Sequence, residues 1–181
     1  MWRTLRPLLS ILVAFGLYQG VMAIVRAHVD GRIEENVGER LPAFSLVDTA
    51  GKTWTNADVD GKLLVLNFMR SYCVNCVKEE PAMRAFADEV AGDDGVRLLS
   101  VMTDRVEEFD PAATAATLAK AAFTHPVLMA DPAFVDAWHG ATWAHVTPIT
   151  YFVNPAGEIV GSLRGAQTLE SLRAALADAR G

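Results

Sequence analysis

Leu63 to Pro81 reads LLVLNFMRSYCVNCVKEEP, and no other stretch of the chain limits the possible folds so tightly. Leu63–Met69 is apolar except for Asn67. A strand buried on both faces reads as such a continuous run, whereas a half-buried strand alternates. Cys73 and Cys76 follow, the two cysteines of the chain. The pattern then turns helical. Met83, Phe86 and Val90 recur at i, i+3 and i+7, so a helix from about Cys73 to Val90 buries that face. Pro81 lies inside it and predicts a kink, because proline removes one backbone hydrogen bond and crowds the preceding turn. A doubly buried strand needs a layer on each side, which points to the α/β class.

The remaining chain supplies those layers. Leu41–Val47 and Thr53–Thr55, separated by the turn residues Asp48 to Lys52, predict a short N-terminal β-hairpin. Val96–Met102 reads as a second strand. Asp110-Pro111 is an N-cap followed by proline at the first helical position, which opens an Ala-rich helix to about Phe123. Pro126–Met129 is a short strand, and Asp131-Pro132 starts a helix to about His139. Thr150–Val153 and Glu158–Leu163 flank the turn Asn154-Pro155-Ala156-Gly157. Thr168 caps a last helix with Leu169, Leu172 and Leu176 on one side. Strands joined by helices predict parallel pairing, and the tight late turn predicts an antiparallel pair. The expected fold is a mixed sheet with helices on both faces and a central αβ insertion.

With 181 residues and a net charge of −6, the chain lacks the basic surface that neutralising phosphates requires, so nucleic acid is not an expected partner. Arg3 and Arg6 precede an apolar run over Leu8–Val25, and acidic residues begin only at Asp30. This is the layout of a secretory targeting segment with its positive charge on the cytoplasmic side. Eighteen helical residues span about 27 Å, close to the hydrocarbon thickness of a bilayer. Residues 1–26 are therefore expected to be a signal-anchor that crosses the membrane through residues 8–25. Cleavage after Val21-Met22-Ala23, which would leave a soluble domain, is the alternative; a buried core helix fits less well, since no amphipathic stripe is visible. Residues 27–40, polar and without clear periodicity, read as a linker, and 41–181 as the folded domain. Either targeting outcome places the cysteines in an oxidising, extracytoplasmic space.

Two cysteines are too few for a disulfide scaffold and sufficient for one dithiol/disulfide couple. At i and i+3 of a helix start they lie one turn apart on one face, within reach of disulfide geometry. The first sulfur sits beside unpaired N–H groups and the positive end of the helix dipole, which favours its thiolate. Cys73 is thus the expected attacking thiolate and Cys76 the more buried resolving thiol. Half a zinc site and an inert structural disulfide are the competing readings. The first needs two further ligands, and the second gains little from so short a loop.

LNFMRSYCVNCVKEEP resembles the active-site segment of the thioredoxin-like superfamily, and in particular its TlpA/ResA type of membrane-anchored thiol–disulfide oxidoreductases. The resemblance covers about 41–179 and includes LPAFSLVDTAGK, Pro81, Val146-Thr147-Pro148 and YFVNPAGEIV. It implies a cis-proline at Pro148 against the cysteine pair, with Thr147 offering backbone contact to an extended substrate. It also implies a proton-handling role for Glu79, since Asn67 stands where thioredoxin carries a buried aspartate. Glu80 is expected on the surface. Tyr72 replaces the usual tryptophan before the first cysteine, and Arg70 replaces a small residue, where it either favours the thiolate or is simply exposed. The segment 140–146 is longer than usual and brings Trp143 and His145 toward the site, Trp143 as a substrate-binding candidate.

The function so implied is disulfide exchange with extracytoplasmic protein thiols and disulfides, as a reductant, in settings such as cytochrome c maturation or metal-centre assembly. A membrane electron donor or acceptor would recycle the couple. The place implied is the periplasmic face of a bacterial inner membrane, and the redox-active disulfide Cys73–Cys76 needs no other cofactor. The main rival is copper delivery of the SCO type, with Cys73, Cys76 and His145 as ligands. That family spaces its cysteines by three residues rather than two. A peroxiredoxin-like peroxidase would carry threonine where this chain has Arg70. His28, His125 and His139 are expected to be structural or exposed.

Overall fold

A computed structural model describes residues 2–104, 110–139 and 146–181, without the side chains of 2–9, 32 and 139. The chain forms two compact units, 1–35 and 36–181.

The first unit is one helix, α1 (Trp2–Glu34). Within it, Ser10–Gly31 is long and apolar enough to cross a membrane, and the side chains of this window are not buried by protein. The helix does not stop at residue 26. It carries on to Glu34, into the first part of the stretch read above as a linker, because no proline intervenes before Pro42 and the polar residues there are mostly adequate helix formers. The chain leaves helical geometry in the turn that contains Gly38, whose φ of +96° suits glycine.

The second unit opens with the hairpin β1 (Ser45–Val47) and β2 (Thr53–Thr55), antiparallel as expected. Its five-stranded sheet is built from β3 (Leu63–Met69), β4 (Val96–Met102), β5 (Val127–Met129), β6 (Ile149–Val153) and β7 (Ile159–Arg164), in the order β5-β4-β3-β6-β7. β3 pairs parallel with β4 and antiparallel with β6; β4–β5 is parallel and β6–β7 antiparallel. All seven residues of the central strand β3 are buried, as its run of apolar residues around Asn67 predicts.

The helices are α2 (Val74–Val90), α3 (Pro111–Ala121), α4 (Pro132–His139) and α5 (Leu169–Arg180). Alternate β3 residues serve opposite faces. Leu63 and Val65 pack with Met83 and Phe86 of α2 and Leu172 and Leu176 of α5. Phe68 faces the other way, among Phe134 and Trp138 of α4 and Tyr151 of β6, with ring centroids 5.4–5.9 Å apart. Burying each such side chain contributes about 1.5–3 kcal/mol, so the sheet is held from both sides. α3 ends at Ala121 rather than Phe123, where Ala122 takes the left-handed φ of 46° and returns its N–H to Leu118 O.

Local caps fix the ends. Asp110 accepts from Ala112 N–H at the start of α3. Thr168 caps α5 by accepting from Ser171 N–H, and the Ser171 hydroxyl oxygen accepts from Thr168 N–H in return. Thr168→Ala is expected to cost about 1 kcal/mol, read as a small drop in urea midpoint with the slope unchanged.

Candidate active site

β3 ends at Met69, and a turn through Ser71 and Tyr72 leads to Cys73, the N-cap of α2. Cys73 and Cys76 form a disulfide with Cα atoms 5.2 Å apart. The N-cap position gives Cys73 Sγ a hydrogen bond from Cys76 N–H at 3.1 Å. The same N–H and the helix dipole would face a thiolate there after reduction. Both cysteines are buried, Cys76 the more deeply, against Met69, Met102 and Val127. The neighbouring Tyr72 and Val74 are exposed, at 66% and 70%. Arg70 is half-buried just before the turn.

The far half of the site arrives from the loop before β6. The Thr147–Pro148 bond is cis, and Thr147 O lies 3.3 Å from Cys73 Sγ. Residues 73 and 147 are far apart in sequence; sheet topology makes them meet, because β6 runs antiparallel beside β3 and starts at the site end. Trp143 and His145 lie outside the described residues.

Glu79 sits one turn beyond Cys76 and is 2% exposed. Its carboxylate accepts from Asn67 Nδ2 at 3.0 Å and from Gln167 N–H at 3.1 Å. Asn67 Nδ2 also donates to Thr150 Oγ1 at 3.0 Å. Burial pushes the Glu79 pKa up to about 7, against the pull of the two donors. The group can therefore hold or release a proton near neutrality. Asn67 thus orients an acid supplied by the helix.

The reading of Glu80 as a surface residue is corrected: it is 6% exposed. Cys76, Glu79, Glu80, Met83, Phe86 and Ala87 form one buried stripe on α2. Extending the Met83–Phe86 face back by helical spacing reaches both glutamates, so the signal was present. His125 is half-buried, its Nε2 2.8 Å from Ser100 Oγ, and burial lowers its pKa to about 4. It is a structural, neutral histidine. Gln167 was not foreseen, since it acts through a backbone N–H that any residue but proline provides.

Residues 37–162 match the AhpC/TSA family. The chain is 26% identical over 168 residues to the thiol-disulfide oxidoreductase ResA of Bacillus thuringiensis, covering 91% of this chain and 87% of that protein. It is 34% identical over 90 residues to the thiol:disulfide interchange protein DsbE of Pseudomonas fluorescens, covering 49% and 48%. The crystal structure of StoA from Bacillus subtilis superposes with a TM-score of 0.62 at 22% identity, covering 74% of this chain and 95% of that one. These relatives do not favour copper delivery. The match over well over half of its length, joined to a Cys-x-x-Cys pair at a helix N-cap, shows that the chain belongs to the AhpC/TSA family and is a thioredoxin-like thiol–disulfide oxidoreductase of the TlpA/ResA type.

Proposed function

We propose that the protein reduces disulfides in extracytoplasmic partner proteins, with Cys73 as the attacking thiolate and Cys76 as the resolving thiol. The observation that carries this reading is the placement of Cys73 Sγ at the N-cap of α2, beside Cys76 N–H and 3.3 Å from Thr147 O. The Cys73 thiolate attacks one sulfur of the partner's disulfide and expels the other as a thiolate, which takes up a proton. Cys76, deprotonated with Glu79 as acceptor, then attacks Cys73 Sγ and releases the partner's second thiol. Two electrons pass to the partner, and this chain is left with the Cys73–Cys76 disulfide. The couple itself carries the electrons, and a membrane electron donor restores it. Thr147 beside cis-Pro148 offers backbone to an extended partner segment, with exposed Tyr72 at its edge.

The helix within α1 serves as a single anchor in a bacterial inner membrane, with the domain in the periplasm. Partners of this class belong to cytochrome c maturation or metal-centre assembly. Alkaline phosphatase joined after residue 40 is expected to be active and membrane-bound, since that enzyme matures only outside the cytoplasm. In cells lacking the protein, partner cysteines are expected to accumulate oxidised. Their accumulation in reduced form would reverse the assigned direction of electron flow.

A further inference from the structure

Asp104 lies just past the end of β4 and is 1% exposed. Its Oδ1 accepts from the Ser71 backbone N–H at 2.8 Å. Its Oδ2 accepts from the Ser71 hydroxyl and from the Thr114 hydroxyl, the latter at 2.5 Å. Ser71 and Thr114 are buried as well. A carboxylate taken out of water is costly unless donors replace its hydration. Here three neutral donors come from two other parts of the chain: the turn before Cys73 and the first turns of α3. A second stitch lies beside the first. Thr103 donates its N–H and its hydroxyl to Met69 O, at 2.9 and 3.2 Å. The end of β4 thus grips the exit of β3 at two successive points.

The gripped turn leads directly to residue 73. Cys73 follows Ser71 by two residues, in the extended conformation of an N-cap (φ −101°, ψ 103°), with Sγ on Cys76 N–H. An N-cap hydrogen bond requires that conformation. A turn free to shift would carry the sulfur off the helix end, away from the N–H groups that favour its thiolate.

We propose that Asp104 is a positioning residue for the redox couple: by clamping Ser71 it holds Cys73 at the N-cap of α2, and so sets the thiolate fraction of the reduced protein. The proposal rests on the reading of Cys73 as the attacking thiolate. A clamp that served the fold alone would alter stability and leave the thiolate untouched.

The test uses the full chain carrying Cys76→Ser, reduced, so that one thiol remains. Thiolate absorbance near 240 nm at pH 7 is read beside the urea midpoint. Asp104→Ala is expected to lower the Cys73 thiolate fraction by at least about threefold, toward that of a free cysteine. Asp104→Asn is expected to keep most of it. The amide oxygen still accepts from Ser71 N–H, and the two hydroxyls can rotate to accept from the amide NH2. Should Asp104→Ala not fold, Ser71→Ala and Thr114→Ala each remove one hydroxyl and are expected to give partial losses in a folded protein. An unchanged thiolate band in every folded variant would overturn the proposal. So would equal losses in Asp104→Asn and Asp104→Ala, which would assign the effect to charge rather than position. Absence of the band with Asp104 intact would refute the attacking role of Cys73 itself, and the clamp's purpose with it.

Discussion

Cys73→Ser is expected to reduce disulfide exchange to background, whereas Cys76→Ser is expected to accumulate mixed disulfides with the natural partners. The asymmetry follows from position. Cys73 is the N-cap of α2 and Cys76 lies within its first turn, deeper against Met69, Met102 and Val127. Without Cys73 there is no sulfur at the helix end to open a partner's disulfide, and the hydroxyl of serine is a far weaker nucleophile at neutral pH. Without Cys76 the first step still proceeds, but the mixed disulfide has no neighbouring thiol. The lost step is intramolecular, between residues whose Cα atoms stand 5.2 Å apart. Well-oriented groups of this kind act at effective molarities of about 10⁵–10⁸ M, which no free thiol in solution matches. The adducts should survive a non-reducing gel and collapse on adding dithiothreitol, and they identify the partners directly. Full reductase activity in purified Cys73→Ser, or no thiol-sensitive adduct in Cys76→Ser, would exchange or abolish the assigned roles.

The strands and helices around this pair were legible because burial writes a period into sequence. β3 is apolar save for Asn67 as it is buried on both faces, and Asp110-Pro111 and Thr168 mark helix starts by chemistry that operates within one turn. What could not be read were groups whose roles depend on meeting distant chain. Asp104 reads as the polar residue after an apolar strand, and nothing near it announces Ser71 or Thr114. Gln167 acts through its backbone, on which its side-chain type leaves no mark. Glu80 differs for another reason: its charge points to the surface, its helical phase to the buried stripe, and the phase prevails. The cis bond at Thr147–Pro148 came from resemblance, since proline alone permits cis without requiring it.

Glu79→Gln is expected to change how stability depends on pH, in a direction fixed by the environment of the carboxyl. Its pKa rises from the ordinary 4.5 to about 7 because burial disfavours the charged form more than Asn67 and Gln167 favour it. Between those values the folded protein holds a proton there that the unfolded chain has released. Stability from this group is therefore fully present below about 4.5 and is lost as pH rises through about 7. At about 1.4 kcal/mol per pH unit the loss amounts to about 3 kcal/mol. His125 works the other way. Its pKa falls to about 4, so its contribution is present above the unfolded value of 6.5 and lost as pH drops through about 4. The two offset each other in the wild-type curve, so the difference between Glu79→Gln and wild type is the informative quantity. Any hydrogen bond lost with glutamine shifts that difference by a constant, whereas the titration tilts it toward the variant by about 3 kcal/mol between pH 4.5 and 7.5. Urea unfolding of the oxidised proteins across that range measures it, and a flat difference would mean the carboxyl is not held protonated. The same substitution bears on chemistry: an acid that titrates near 7 can take the Cys76 proton, and glutamine cannot. Release of mixed disulfides should slow in Glu79→Gln while their formation by Cys73 keeps its rate. A variant slowed in both steps would place Glu79 in the framework of the helix rather than on the path of the proton.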